Sequence, residues 1–97
     1  MNANPWTEQE DRAIVRDYLA MLAQQAAGLP YNKSKTRRAL LPLLNGRSEG
    51  SVEFKRCNVS AALIALGRPT LRGYLPRDNY QARLVDIIRS ELAQVAA

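Results

Sequence analysis

Among the residue types that could do chemistry in this chain, the cationic ones are the most numerous. The 97 residues include 14 lysines and arginines, nine acidic residues, one cysteine (Cys57) and no histidine. Without histidine, a Ser-His-Asp or Cys-His nucleophile, a zinc finger and a haem site are excluded. A single cysteine excludes an intramolecular disulfide and favours a reducing, cytoplasmic location. We therefore expect no metal or cofactor and no self-sufficient enzyme.

The cations are concentrated in the middle of the chain. Residues 28–77 carry a net charge of +8, whereas residues 1–27 carry −2 and residues 78–97 carry −1. The sequence pI of 9.9 lies in the range expected of nucleic-acid-binding domains. The distribution predicts a surface that faces a polyanion, and the alternative is a set of solvated basic loops.

The candidate nucleic-acid-binding residues are basic or polar side chains of this middle segment. They are Lys33, Lys35, Arg37, Arg38, Arg47, Ser48, Ser51, Lys55, Arg56, Asn58, Arg68, Arg72 and Arg77. We expect Arg47, Lys55, Arg56 and Asn58 to point outward from a third helix and to contact base edges, since arginine and lysine pair with guanine and asparagine with adenine. Ser48 or Ser51 caps that helix, and the other basic residues grip phosphates.

Each candidate also has a purely structural interpretation. The four basic residues between Lys33 and Arg38 could be the solvated face of a second helix. The arginines at 68, 72 and 77 could keep an irregular segment soluble. Asn58, a poor helix former, could fill a functional role or a buried hydrogen-bonding one.

Helical spacing of apolar residues predicts the elements that must position these side chains. We expect helices over about 7–27, 33–44, 49–66 and 79–95, with a capping box between Thr7 and Glu10. Pro42 should kink or break the second helix. Residues 70–78 should be irregular, with Leu71, Tyr74 and Leu75 as anchors on the core.

The expected fold class is therefore all-α, a compact single domain (1–97) of about four helices with a helix-turn-helix-like core. No apolar run approaches the roughly 18–20 residues needed to cross a bilayer, so we expect no membrane segment. The first residues also lack the basic and apolar regions of a secretory signal.

Two local motifs resemble the Myb/SANT-like trihelical domain. The first is Trp6-Thr7-Glu8-Gln9-Glu10 at the start of helix 1, and the second is Gly46-Arg47-Ser48-Glu49-Gly50-Ser51-Val52 at the start of helix 3. This resemblance implies that helix 3 enters the major groove of DNA. The chain lacks the evenly spaced second and third tryptophans of Myb repeats.

A second resemblance covers nearly the whole chain. Tyr31-Asn-Lys33, Arg37-Arg38-Ala-Leu, Gly46 to Lys55, Asn58-Val-Ser-Ala61, Gly73-Tyr74 and Pro76 to Gln81 resemble a bacterial domain of uncharacterised function. That domain is found at the N-terminus of proteins that resemble HNH-type restriction endonucleases and other defence-associated proteins. The resemblance implies a targeting module that works with a separate effector nuclease, and this chain would be a stand-alone member or a fragment.

One motif resembles nuclease chemistry directly. Glu53-Phe54-Lys55 matches the acidic-x-lysine element of PD-(D/E)xK nucleases, in which carboxylates hold a metal and the lysine assists the attacking water. That element needs a partner aspartate and a sheet, and neither is predicted here.

The function that we expect is a small DNA-binding module of a bacterial restriction or defence-type system. Its partner would be double-stranded DNA, unmodified or modified, together with an effector nuclease domain or protein. The alternative is a protein-interaction or dimerisation module that docks an acidic partner.

Overall fold

The computed structural model describes residues 4–96, and it describes side chains up to residue 94. Four α-helices form a compact bundle: α1 (Glu8–Ala26), α2 (Lys33–Leu40), α3 (Glu49–Ala65) and α4 (Ala82–Ala96). No strand occurs within the described range, which confirms the predicted all-α bundle. None of the helices in that range combines the length and apolarity that a membrane crossing requires.

Side-chain caps begin three of these helices, and the sequence predicts the caps of α1 and α3. Thr7 Oγ1 accepts from the backbone N–H of Glu10, and the Glu10 carboxylate accepts from the backbone N–H of Thr7, both at 3.1 Å. Asn32 caps α2 by accepting from Lys35 N at 2.9 Å. Ser48, rather than Ser51, caps α3. These caps satisfy N–H groups that have no acceptor within their helix.

The second and fourth helices are shorter than the sequence predicts. The α-helix α2 ends at Leu40 and continues as a 3₁₀ turn, Leu41–Leu43, because Pro42 has no N–H to donate. The fourth helix begins at Ala82 rather than at residue 79. Asn58 Nδ2 donates to the Arg77 carbonyl at 2.6 Å, and this contact fixes the chain outside a helix just before Asn79.

The three long helices run in the same direction. In the contacts between them, the residue numbers increase along both helices. Between α1 and α3, Asp11 contacts Lys55 and Tyr18 contacts Ser60. Between α1 and α4, Asp11 contacts Arg83 and Arg16 contacts Glu91. Two connections must therefore run backwards. One contains α2 and the 3₁₀ turn, and the other is residues 67–81, which we call the return segment.

Hydrogen bonds fasten the return segment to α1 and α3. Gln25 Nε2 donates to the Thr70 carbonyl at 3.2 Å, and Leu71 N donates to the buried hydroxyl of Tyr18 at 2.8 Å. Farther along, Arg77 N donates to the Cys57 carbonyl at 3.1 Å. The segment is irregular but tied down along its length, so its side chains occupy defined positions.

The core lies where α1, α3, α4 and the return segment meet. It includes Ile14, Val15, Tyr18, Val52, Val59, Leu63, Leu71, Tyr74, Leu84 and Ile88. Leu71 and Tyr74 are buried, as the sequence predicts, but the prediction that Leu75 is an anchor is wrong, because Leu75 is 78% exposed. Tyr74 takes the inward position next to it and contacts Arg56.

Candidate nucleic-acid interface

The basic side chains of the α3 region do not form the outward face that the sequence predicts. Arg56 is fully buried, Lys55 is 7% exposed and Asn58 is 3% exposed. Arg47, just before α3, is also largely enclosed. The prediction that these four residues point outward is wrong, because carboxylates and carbonyls inside the fold bind all of them.

Arg47 binds the start of α1. Its Nη2 and Nε donate to the two carboxylate oxygens of Glu10 at 2.8 and 2.9 Å. Its remaining donors bind the carbonyls of Asn4 and Pro5, and the guanidinium lies 4.3 Å from the centroid of the Trp6 ring. The hydrogen bond from Arg47 lowers the pKa of Glu10 to about 2. Arg47 therefore holds the N-terminal segment against the bundle.

Lys55 takes part in a second ion cluster beside the first. Its Nζ lies 3.0 Å from Asp11 Oδ1, while Arg83 Nη2 donates to Asp11 Oδ2 at 2.9 Å. Asp11 is completely buried, so two cations from α3 and α4 neutralise one carboxylate of α1. Lys55 Nζ also lies 5.0 Å from the centroid of the Trp6 ring.

Arg56 occupies the centre of a third polar cluster. Its guanidinium donates to Asp17 at 3.0 Å, to Glu53 at 2.9 Å and to Thr36 at 3.0 Å. It also donates to the hydroxyl of Tyr74 at 2.7 Å. Burial raises the pKa of Tyr74 to about 12, so its hydroxyl stays protonated and donates to Glu53. The cluster joins α1, α2, α3 and the return segment.

The two serines of the predicted reader helix make local contacts. Ser51 N donates to Ser48 Oγ at 3.1 Å, and Ser51 Oγ donates to the Ser48 carbonyl at 2.8 Å. These are capping interactions of α3.

The cations of α2 divide into bound and free side chains. Lys33 Nζ donates to the Arg72 carbonyl at 2.7 Å and lies 4.6 Å from the centroid of Tyr74. Arg37 pairs with Glu49 and Glu53 at 3.3 and 3.5 Å. Lys35 and Arg38 are exposed and form no ion pair with any described residue.

The arginines of the return segment are accessible. Arg68, Arg72 and Arg77 are exposed, and none of them forms an ion pair within the described chain. The Arg77 guanidinium lies 5.3 Å from the centroid of Phe54. Arg68 lines a shallow hollow with Arg89 of α4, a residue that sequence analysis did not single out.

Most of the charged side chains that form no salt bridge within the described chain are cations. The side chains that form salt bridges include seven of the nine acidic residues, and Asp78 and Asp86 are the two that form none with a described residue. Seven of the fourteen cations form no salt bridge within the part of the chain that the structure describes: Lys33, Lys35, Arg38, Arg68, Arg72, Arg77 and Arg89. The cations not neutralised inside the fold therefore lie on α2, the return segment and α4.

An open groove of about 540 Å³ lies beside the first half of α3. We call it the aromatic groove, because Trp6, Phe54 and Tyr80 line it together with Pro5, Gly50, Ser51, Lys55, Asn58, Asn79 and Gln81. Sequence analysis did not predict this groove. Its walls come from residues more than 70 positions apart, and no local pattern relates them.

The nuclease-like motif does not form a metal site with the described residues. Lys55 binds Asp11, whereas Glu53 binds Arg56 and Arg37. No group of three or more possible metal ligands occurs in the part of the chain that the structure describes.

Comparison with protein-family models, with curated proteins and with solved structures finds no match to this chain.

Proposed function

We propose that this protein binds DNA by its phosphate backbone, through the cations of the return segment and their neighbours. Arg68 and Arg72 are the main contacts, and the exposed Lys35 and Arg38 of α2 are further contacts. The observation that carries the proposal is the exposure of these side chains without an ion-pair partner in the described chain.

Arg68 and Arg72 suit a phosphate contact because the backbone that carries them is held in place. Arg72 N donates to Gln25 Oε1 at 2.9 Å, its carbonyl accepts from Lys33, and Arg68 N donates to the Leu63 carbonyl at 2.9 Å. A cation on a fixed backbone loses less conformational freedom when it meets a phosphate than one on a mobile loop. Phosphate contacts of this kind give affinity without base preference.

The proposal replaces α3 as the element that approaches the duplex. The basic residues of α3 are neutralised by Asp11, Asp17 and Glu53, so a phosphate would have to displace a carboxylate to reach them. As a targeting module, the protein would bring an effector nuclease to DNA, and the resemblance to restriction-associated domains supports that role.

Fluorescence anisotropy of a labelled 20-base-pair duplex, measured at several salt concentrations, tests the proposal. We expect binding whose logarithm falls linearly with the logarithm of salt concentration. Arg68→Gln and Arg72→Gln should each weaken binding and lower the slope by about 1, since each removes about one phosphate contact. A single-stranded DNA and an RNA duplex of the same sequence show which nucleic acid is preferred.

Arg16→Gln is the matched control for these variants. It removes the same charge from an exposed side chain of α1, and Arg12 still binds Glu91 at 2.7 Å in its absence. We expect this control to change the affinity less than Arg68→Gln or Arg72→Gln does. Equal losses in all three variants would assign binding to net charge alone, and no binding at low salt would refute the proposal.

A second candidate is docking of an acidic protein partner, and the exposure of Leu75 favours it. This leucine lies two residues before Arg77, so the return segment presents an apolar side chain beside cations. Titration with a labelled helical peptide rich in glutamate and leucine tests this candidate. Binding that Leu75→Ser weakens, together with no binding to DNA, would favour the protein partner.

A further inference from the structure

We propose that the aromatic groove binds a nucleobase. In DNA this would be a base that has left the stack of the strand held by the return segment, so this form of the inference rests on the proposed function. A free mononucleotide presents the same planar heterocycle and is the second possible source of the ligand.

The first argument is the aromatic lining of the groove. Phe54 is 39% exposed although it lies on a helix whose other large side chains are mostly buried. Trp6 and Tyr80, both half-buried, line the same groove. Exposed aromatic rings stack on bases of every type. At about 540 Å³, the open groove is large enough for a nucleotide-sized ligand.

The second argument is a hydrogen-bond acceptor that the fold fixes in place. Asn58 lines the groove, and its Nδ2 donates to the Arg77 carbonyl at 2.6 Å. A carbonyl can only accept, so this contact determines which end of the amide is the nitrogen. Asn58 Oδ1 accepts no hydrogen bond from any described residue. An acceptor that no donor of the described chain occupies is available to a ligand that supplies one.

The third argument is that the groove offers donors as well as acceptors. Gln81 is exposed, lines the groove and has no hydrogen-bond partner through its side chain within the described chain. Its amide can donate and accept at once. Adjacent donors and acceptors are what the hydrogen-bonding edges of bases present, and proteins read unstacked bases through such edges. An apolar groove without these amides would not distinguish a base from another flat ring.

The fourth argument is the position of Arg77. Its guanidinium lies 5.3 Å from the centroid of Phe54. It lines a separate hollow that shares Gly50 and Phe54 with the groove, and it is one of the exposed cations of the return segment. A phosphate bound by Arg77 would place the attached nucleotide next to the groove.

Trp6 makes the test direct, because it is the only tryptophan of the chain and lines the groove. Its fluorescence is followed while the folded protein is titrated with the four deoxynucleoside monophosphates and, separately, with deoxyribose 5-phosphate. We expect saturable quenching by at least one nucleotide and none by the sugar phosphate. A single strand that contains 2-aminopurine tests the base within DNA, since stacking on an aromatic side chain changes the emission of that base.

Two pairs of variants separate the groove from the rest of the surface. Phe54→Ala should weaken nucleotide binding at least tenfold, whereas Ile64→Ala, which removes another exposed apolar side chain of α3, should leave it unchanged. Gln81→Ala should alter the order of preference among the four nucleotides, whereas Gln94→Ala on α4 should not. Gln81 is exposed, so its variant remains informative even if Phe54→Ala fails to fold.

The outcomes of this experiment and of the duplex assay are independent. The groove proposal is wrong if the nucleotides do not quench Trp6 fluorescence and the protein does not change the emission of the 2-aminopurine strand. This holds even if anisotropy shows that DNA binds to the return segment. If nucleotides quench Trp6 fluorescence and duplex DNA does not bind, the groove takes free nucleotides and the proposed DNA-binding function fails. Quenching of equal size by deoxyribose 5-phosphate would also overturn the assignment, because that ligand has no base.

Discussion

Arg47 and Glu10 form a two-point ion pair, with Nη2 and Nε of the arginine at 2.8 and 2.9 Å from the two carboxylate oxygens. The pair joins the segment before α3 to the first turn of α1, and Trp6 packs against the same guanidinium. The two motifs that resemble the Myb/SANT-like domain therefore contact each other through these residues. In this protein the arginine of the second motif binds a carboxylate of the first and is largely enclosed.

The ion pair predicts how stability depends on pH. The pKa of Glu10 falls from 4.5 to about 2 on folding, so the carboxylate contributes stability in full above pH 4.5 and loses it as the pH falls toward about 2. Glu10→Gln should lower the free energy of unfolding at pH 7 by about 2–3 kcal/mol. Urea unfolding of wild type and Glu10→Gln at pH 7, 4, 3 and 2.5 checks this. The difference between their free energies of unfolding should shrink across the acid range.

Glu91 also has a lowered pKa, because Arg16 donates a hydrogen bond to it. Glu91 contributes equally to the stability of wild type and of Glu10→Gln, so its contribution cancels when their free energies of unfolding are subtracted. A difference between wild type and Glu10→Gln that stayed constant from pH 7 to pH 2.5 would contradict the assignment to Glu10.

Arg56 should not tolerate replacement by lysine. Lys keeps the charge but cannot reach Asp17, Glu53 and Thr36 together from one planar group. We expect Arg56→Lys to lower the free energy of unfolding by about 3 kcal/mol. Chemical denaturation measures the loss. As a control, replacing the exposed Arg38 of α2 in Arg38→Lys should change the free energy of unfolding by less than about 0.5 kcal/mol. If Arg56→Lys were as stable as wild type, the buried cluster would not need the guanidinium fork.

The hydroxyl of Tyr18 should hold the return segment in place. It accepts from Leu71 N at 2.8 Å and shares a hydrogen bond with Ser60 Oγ at 2.7 Å. Tyr18→Phe leaves this buried N–H without an acceptor, so we expect a loss of about 1–3 kcal/mol. Hydrogen exchange should speed up at the Leu71 amide more than at amides of α4. In Tyr31→Phe, which loses a 3.2 Å contact with Gln25, the exchange of Leu71 should be unchanged.

Gly73 should be the least replaceable glycine beside the proposed DNA surface. Its φ is +88°, and a Cβ there would overlap Lys33 Nζ. The lysine can move aside, so the left-handed backbone accounts for most of the expected loss of about 1–2 kcal/mol in Gly73→Ala. In Gly50→Ala, by contrast, the nearest atom to the new Cβ is 3.9 Å away and the backbone is helical, so stability should rise by up to about 1 kcal/mol. Thermal unfolding of the two variants compares them, and a stable Gly73→Ala would contradict the prediction.

Local signals in the sequence were sufficient for the helices and their caps. Thr7 with Glu10 caps α1 as predicted, and Ser48 is one of the two predicted caps of α3, because each cap depends on residues within three positions of each other. Pro42 ends α2 for an equally local reason. The sequence predicts a start of α4 that is three residues too early, since the contact that keeps residue 77 outside a helix comes from Asn58, 19 positions away.

The sequence by itself determined that the fold is helical, which residue types are absent and that the middle of the chain is basic. Only the tertiary structure decided which cations remain available, since ion pairing depends on carboxylates far along the chain. Arg56 and Arg72 look alike in sequence, yet Arg56 is buried against Asp17, 39 positions away, and Arg72 is exposed. The parallel course of α1, α3 and α4 produces that difference, because it aligns the acids of α1 with the cations of α3 and leaves the arginines of the return segment exposed.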